Sequence, residues 1–297
     1  MNVENSLNLR SLTLEDEDWF YRLTCHIGMS DFSFPLLCAY RKRLDVKYVR
    51  LNERTALIMQ NNAYGKRCIT IIGEINRAVI KEVMALGIME FSYVSKKQLP
   101  LFISIEGTKW DITCDRDFSD YIYNLDEFLH PSKKARKQYN HFKKHHHTKL
   151  VEMTRENWED SYHVYQSWTK THSDLSVFGD QMEIYRQMRE VIGHPGIMGV
   201  ILYEEEIPIS FRLVEKKEVM VISHFAINRV PIRGMTRVVA HDFFSQFQNK
   251  VEWINLSEDI GNLGLRQFKK QLHPRFLLHK YTLRLRAYKE DDLKNEN

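Results

Sequence analysis

Two carboxylates and a set of cations stand close together near the end of the chain. In Trp253-Ile254-Asn255-Leu256-Ser257-Glu258-Asp259-Ile260-Gly261-Asn262-Leu263-Gly264-Leu265-Arg266-Gln267-Phe268-Lys269-Lys270, a strand ending at Asn255 leads into a turn carrying Glu258 and Asp259, and then into a helix. Residues three or four apart share a helix face, so Arg266 lies beside Lys269 or Lys270. A carboxylate at such a turn can take a proton from an attacking amine or hydroxyl, and a cation one or two turns along can hold an anionic group of a donor. That pattern suits transfer of a group from an anionic donor to an amine or hydroxyl. The plainer alternative is capping of the helix by Glu258 or Asp259 beside a solvated arginine.

Other stretches could share the work. His224 falls in the strand 218–227, where strict alternation puts it on the face of Met220, Ile222 and Ala226. There it would be a base or hydrogen-bond donor, or a half-buried histidine with its bonds satisfied. Ile232-Arg233-Gly234-Met235-Thr236-Arg237 joins that strand to a helix. The first turn of such a helix offers N–H groups to a phosphate, Gly234 would admit close approach, and Arg233 adds charge. Arg233, Gly234 and Thr236 are therefore the candidate acyl-donor contacts, although Arg-Gly is also an ordinary helix-entry turn.

Residues 133 to 149 hold seven Lys or Arg, four His and no acid. A helix over 130–149 after Pro131 would set Lys133, Arg136, Lys137, Asn140, Lys144 and His147 near one face and leave Ala135, Tyr139 and Phe142 as a narrow apolar stripe. Lys133, Lys134, Arg136, Lys137 and Asn140 are the candidate polyanion contacts, to tRNA or an anionic lipid headgroup. A merely solvated face is the competing reading. His145-His146-His147 suggests a metal tract, but consecutive helical residues diverge and no third ligand joins His141 and His145, so no metal site is expected.

These groups need strands and helices to position them. Short β-rich runs at 55–60 and 67–72 predict a hairpin, apolar spacing over 76–86 a helix, and 91–94 and 101–105 further strands. In the second half, helices are expected over 155–171 and 180–191, a hairpin over 199–213, a strand over 218–227, a helix over 234–247 and a strand over 251–255. The parallel order of elements predicts an α/β protein of mixed sheets in two domains, 1–128 and 129–290, joined near 126–131, with 291–297 a polar tail.

Composition agrees with a folded chain. Of 297 residues, 43% are hydrophobic and 28% charged, and the net charge is +4. The apolar runs are far shorter than the ~18 residues a membrane helix needs, and the first residues lack a secretory leader. Cys25, Cys38, Cys68 and Cys114 form no C-x-x-C pair, which predicts buried reduced thiols. A cytoplasmic protein is expected.

The C-terminal half resembles the catalytic domain of bacterial phosphatidylglycerol lysyltransferases. Ser132-Lys133-Lys134-Ala135-Arg136-Lys137-Gln138-Tyr139-Asn140-His141-Phe142-Lys143-Lys144 is similar to that family's G-K-K-x-x-x-K-R-N-x-x-x-K run, with Ser132 for Gly and Tyr139 for Arg. The stretch 254–269 is similar to its N-x-E-E-D-x-G-x-x-G-L-R-x-x-K signature. The resemblance implies two GNAT-like acyltransferase domains in tandem. It implies transfer of an acyl group from aminoacyl-tRNA or acyl-CoA, as co-substrate with no tightly bound cofactor, to an amine or hydroxyl. Glu258, Asp259, Arg266, Lys269, Asn255 and His224 become the catalytic candidates, expected to border one pocket within reach of Arg233 and Gly234. The alternative is a non-catalytic module binding nucleic acid or anionic headgroups on the same scaffold.

Overall fold

A computed structural model of the chain describes residues 7–62, 65–170 and 181–286. The expected tail at 291–297 lies outside them, as do the end of one expected helix and the start of the next.

The chain forms two compact units, and they do not follow the linear division at 128/129. One comprises Met1–Leu23, Arg43–Arg116 and His279–Asn297, the other Thr24–Lys42 and Asp117–Leu278. Sequence order could not reveal this, because each unit recruits a segment distant in the chain.

The first unit holds two antiparallel sheets. β1 (Arg10–Ser11), β2 (Lys47–Arg50), β3 (Thr55–Asn61) and β4 (Arg67–Gly73) are neighbours in that order. In the second sheet β14 (Tyr281–Leu285) lies between β5 (Glu90–Val94) and β6 (Trp110–Cys114). Helices α1 (Glu17–Thr24), α3 (Arg77–Ala85) and α4 (Leu99–Ile103) accompany them. The core gathers Leu57, Met59, Ile80, Val83, Phe91, Phe102 and Leu283. The strand expected at 101–105 is α4 instead. A short apolar run fits either state, and here Ser95 donates to the Gln98 side chain while Pro100 stands in the first turn, both helix-start features.

The second unit is built on a seven-stranded sheet ordered β13 (Phe276–Leu278), β7 (Asp120–Asn124), β12 (Trp253–Asn255), β11 (Met220–Asn228), β10 (Ile207–Lys216), β9 (Ile197–Glu204), β8 (Thr148–Glu152). Its strand pairs are antiparallel except β11 with β12, whose parallel register spans Met220↔Trp253 to Ile222↔Asn255. Beyond Ile222, β11 runs on to Asn228 while β12 stops, so the two part. On one face lie α5 (Leu125–Leu129), α6 (Lys133–His145) and α9 (Met235–Phe244), whose Val238 and Phe243 join Tyr121, Val214, Val221 and Ile254 of the sheet in one core. Phe211 of β10 points the other way, into the aromatic cluster of Tyr165 and Tyr185 from α7 (Trp158–Thr169) and α8 (Gln181–Gln187), with α2 (Phe34–Tyr40) beside α8. The last helix of the unit is α10 (Leu263–Gln271). The helix expected over 130–149 ends at His145, and its last residues form the edge strand β8 instead, paired with β9.

Candidate active site

The parting of β11 from β12 coincides with a bulge. Leu213 of β10 pairs with Phe225 and Val214 with Ser223, which leaves His224 as the extra residue. His224 meets Glu215, which stands opposite Ile222, so it keeps the expected face of Met220 and Ile222, and it is Ala226, opposite Arg212, that the bulge moves off that face. The His224 side chain is wholly buried, with Nε2 3.0 Å from Ser33 Oγ and 3.3 Å from Glu215 Oε2, and with Nδ1 unpartnered. Burial opposes ionisation of Glu215, but the Lys217 ammonium and the bonds from His224 and Ser33 outweigh it and hold the carboxyl below its usual range. Lys217, also buried, donates to the carbonyls of Thr24, Ile27 and Phe32 at 3.4, 3.3 and 2.7 Å. One imidazole nitrogen thus serves both neighbours, and the other retains base or donor capacity.

Next to it, at the end of β12, Asn255 donates to Gly28 O at 2.7 Å and to Asp120 at 2.9 Å, while its own oxygen accepts from Ser257 N–H at 2.6 Å. Ser30 N–H donates to Asp120 at 2.8 Å, and Ser30 Oγ lies 2.8 Å from Asp120 and 3.2 Å from Glu258 Oε2. Ser257 Oγ donates to Ser223 O at 3.0 Å, tying the parted strands together. Glu258, half-buried, is the carboxylate at the rim of this cluster.

Asp259 and Arg266 face elsewhere. Asp259 is fully buried and accepts from Tyr121 O–H at 2.5 Å, from Arg266 Nε and Nη2 at 3.1 and 3.0 Å, and from Gly261 N–H at 3.1 Å. Arg266 also pairs with Asp117; the hydrogen bond to Asp259 leads in raising its pKa. Lys269 is buried over the Tyr121 ring and donates to the carbonyls of Leu256, Ser257 and Glu258 at 2.7, 3.1 and 2.5 Å. These bonds lock a turn in which Ser257 and Ile260 hold φ of 58° and 47°, a region costly for a β-branched residue. Asp259, Arg266 and Lys269 thus brace the turn, while the Glu258 side chain meets Ser30. Arg266, without Asp259, also lines an open groove of about 480 Å³ with Leu263, Gln267, Lys270, Gln271 and His273.

Arg233 and Gly234 make no hydrogen bond or ion pair with that brace among the described residues. Gly234 caps α9 with φ of 92°, and a Cβ there would stand 2.7 Å from Gln138 O and 3.3 Å from Phe142. The close approach that this glycine permits is made by α6, not left open for a ligand. Thr236 accepts from Asn228 through Oγ1 at 2.8 Å and from buried Arg212 through its carbonyl at 3.1 Å. On α6, Ala135 and Phe142 are buried and Tyr139 donates to Asp242 at 2.7 Å, while Lys133, Lys134, Arg136, Lys137 and Asn140 are exposed. Lys143 pairs with Asp242 at 2.7 Å, fastening α6 to α9. The His141 and His145 rings lie 4.2 Å apart, tilted at 37°, and no group of three or more His, Cys, Asp or Glu among the described residues could hold a metal. Cys114 is exposed, against the expectation that all four thiols are buried.

Ser30, Ser33, Asp120, Tyr121, Arg212, Glu215 and Lys217 were missed by sequence reading. Asp120, Arg212 and Glu215 carried a signal, since each is a charge inside an apolar strand run.

The sequence matches the family described as phosphatidylglycerol lysyltransferase, C-terminal, over residues 44–284. The chain belongs to this family. No curated protein matches the sequence. Among solved structures, the phosphatidylglycerol lysyltransferase-like chain is similar to a conserved protein of unknown function from Bacteroides thetaiotaomicron, with 19% identity, 94% of this chain and 100% of that chain covered, and a TM-score of 0.85. It is also similar to the C-terminal domain of a putative lysylphosphatidylglycerol synthetase from Agrobacterium fabrum, at 12% identity, 94% of each chain and a TM-score of 0.63. L-PGS from Bacillus licheniformis follows, at 15% identity, 90% and 96% coverage and a TM-score of 0.60. At these identities the likeness is one of fold. Membership of the lysyltransferase family supports an acyl or aminoacyl transferase at family level. No helix among the described residues is long and apolar enough to cross a membrane.

Proposed function

We propose that this chain transfers an aminoacyl group from aminoacyl-tRNA to an amine or hydroxyl acceptor. The observation that carries the reading is the seating of α6 on the start of α9. The Gln138 carbonyl occupies the space beside Gly234 that a CoA pyrophosphate would approach, while Lys133, Lys134, Arg136, Lys137 and Asn140 on the same helix face solvent. A polyanion can use that outer face without entering the junction. The family's description as a lysyltransferase acting on phosphatidylglycerol supports an aminoacyl donor and a hydroxyl-bearing acceptor.

Within this reading Glu258, at the rim of the parted strands, takes the acceptor proton, while Asn255, through its bonds to Gly28, Asp120 and Ser257, positions the turn that presents it and buried His224 positions the strand beside it. Asp259, Arg266 and Lys269 position that turn. A second reading, a binding module without catalysis, is favoured by one observation, the commitment of Asp259 and Lys269 to bonds within the fold. The test is an incubation of the purified chain with labelled aminoacyl-tRNA or acetyl-CoA and a panel of acceptors: phosphatidylglycerol vesicles, amino acids and peptide amines. Transfer from tRNA to one acceptor is expected. Transfer from acetyl-CoA alone would overturn the donor assignment, and tRNA binding without transfer would favour the second reading.

A further inference from the structure

Asp120 opens β7, is fully buried and is held by three donors: Ser30 N–H at 2.8 Å and Asn255 Nδ2 at 2.9 Å on one oxygen, and Ser30 Oγ at 2.8 Å on the other. An ionised carboxylate accepts on both oxygens and donates nothing, so this is the bonding it requires. The Ser30 hydroxyl has one hydrogen, and Asp120 takes it. Glu258 Oε2, 3.2 Å from the same Oγ, therefore faces a lone pair. Two oxygens with no hydrogen between them repel, and the contact becomes a bond only when Glu258 carries a proton and donates it to Ser30.

The placement of the three groups gives the arrangement a direction. Asp120 and Ser30 are buried, whereas Glu258 is half-buried at the rim of the parted strands. Ser30 begins a single turn, Ser30–Phe32, in the segment 24–42 that the second unit recruits from the front of the chain. Asn255 fastens that segment, since it bonds Gly28 O at 2.7 Å as well as Asp120. Other charges stand around the three. Lys269 donates to the Glu258 carbonyl at 2.5 Å, and Asp259 pairs with Arg266 within the same turn and helix. Lys217 donates to the Ile27 and Phe32 carbonyls on either side of Ser30, and His224, beside Glu215, meets Ser33.

We propose that Ser30 is a positioning residue for the transfer, a hydroxyl that couples Glu258 to Asp120 and raises the proton affinity of the carboxylate at the rim. Both the lone pair and the Asp120 charge favour the neutral form of Glu258, and a base works best when its proton affinity approaches that set by the working pH. The role in transfer rests on the aminoacyl reading; the coupling itself does not. As the acceptor nitrogen or oxygen bonds to the aminoacyl carbonyl carbon, its proton passes to Glu258, whose new O–H donates to Ser30 Oγ while the Ser30 O–H goes on donating to Asp120. When the ester bond to the tRNA ribose breaks, that proton leaves with the ribose oxygen. Glu258 is then a carboxylate again, and Ser30 has kept its hydrogen throughout. The 3.2 Å contact is long for such a bond in the resting chain and tightens while the proton is held.

The experiment follows the Glu258 carboxyl by carbon NMR through an acid titration of the full chain labelled at glutamate, with Glu258→Gln identifying its resonance. Ser30→Ala removes the lone pair, and the Glu258 midpoint should fall by about one pH unit; Ser30→Thr, which keeps the hydroxyl, should restore it. Asp120→Asn preserves the shape and carries the test if Ser30→Ala does not fold. The new amide donates to Ser30 Oγ, the hydroxyl turns its hydrogen to Glu258, and the midpoint should fall as well. In the transfer assay the acid limb of kcat/KM should move in the same direction, which a loss of stability alone would not produce. A midpoint unchanged or raised in both Ser30→Ala and Asp120→Asn would overturn the proposal, whatever the transfer assay shows. A lowered midpoint in a chain that transfers to no acceptor would uphold the coupling and count against the aminoacyl reading alone.

Discussion

Asp259 is held by four donors: Tyr121 O–H, Gly261 N–H and two arms of Arg266. Replacing it by Asn would leave Arg266 with Asp117 alone and a strained turn without its clamp. Asp259→Asn should therefore lose stability, by about 3 kcal/mol on the scale of broken buried pairs, and urea unfolding measures it. A variant of unchanged stability and abolished transfer would instead make Asp259 a catalytic group. The Glu215 carboxyl gives a second expectation. Its folded pKa lies below its unfolded value of about 4.3, so its stabilisation is complete above that pH and disappears as pH falls through the folded value. Glu215→Gln should flatten the acid limb of the stability curve below about pH 4.3. At neutral pH it strands Lys217, at a cost of about 3–5 kcal/mol, and the double variant with Lys217→Met should recover much of it. Equal losses in single and double variants would show that the two groups do not act as a pair.

At the scale of elements, α6 and α9 are joined by a contact that tolerates only glycine. Gly234→Ala combines a left-handed φ with a Cβ against the Gln138 carbonyl, and should lower stability by about 1–3 kcal/mol and loosen α6 in hydrogen exchange. A neutral Gly234→Ala would mean that α6 moves aside at little cost, reopening the junction to a CoA donor. The outer face of α6 can be tested separately. Its cations are exposed, so Lys133→Gln, Arg136→Gln and Lys137→Gln together should leave stability within about 0.5 kcal/mol of the parent value. The same triple should weaken tRNA binding and reduce the slope of log K against log salt by about 2. An unchanged slope would leave that face merely solvated. The helical part of this segment was legible because amphipathic spacing and Ser132 capping Ala135 are local; its end was not, since pairing of residues 148–152 with β9 depends on a distant strand.

For the molecule as a whole, the interleaving of the two units has a consequence for truncation. β14 is the middle strand of the sheet β5-β14-β6, and Leu283 within it is fully buried in the first unit's core. A chain ending at residue 278 would leave β5 and β6 with open edges. Hydrogen exchange should then show loss of protection over β5 and β6 with β9 to β11 still protected. Protection lost throughout would mean that neither unit folds alone.

The sequence by itself determined the α/β class, the hairpin of β3 and β4, and the helices α3, α6 and α9, because each rests on spacing within a few turns or a single hairpin. Its signature at 254–269 also pointed to the family. Tertiary structure alone decided that 24–42 joins the second unit, where Ser30 and Ser33 meet Asp120 and His224. It decided likewise that a bulge at His224 moves Ala226 to the other face, that Gly234 is closed by α6, and that Arg212 is buried without a carboxylate. Those outcomes depend on which strands pair and which side chains fill the space between layers. Such contacts join residues as far as 228 positions apart, as Ser30 and Glu258 are, and no local periodicity encodes them.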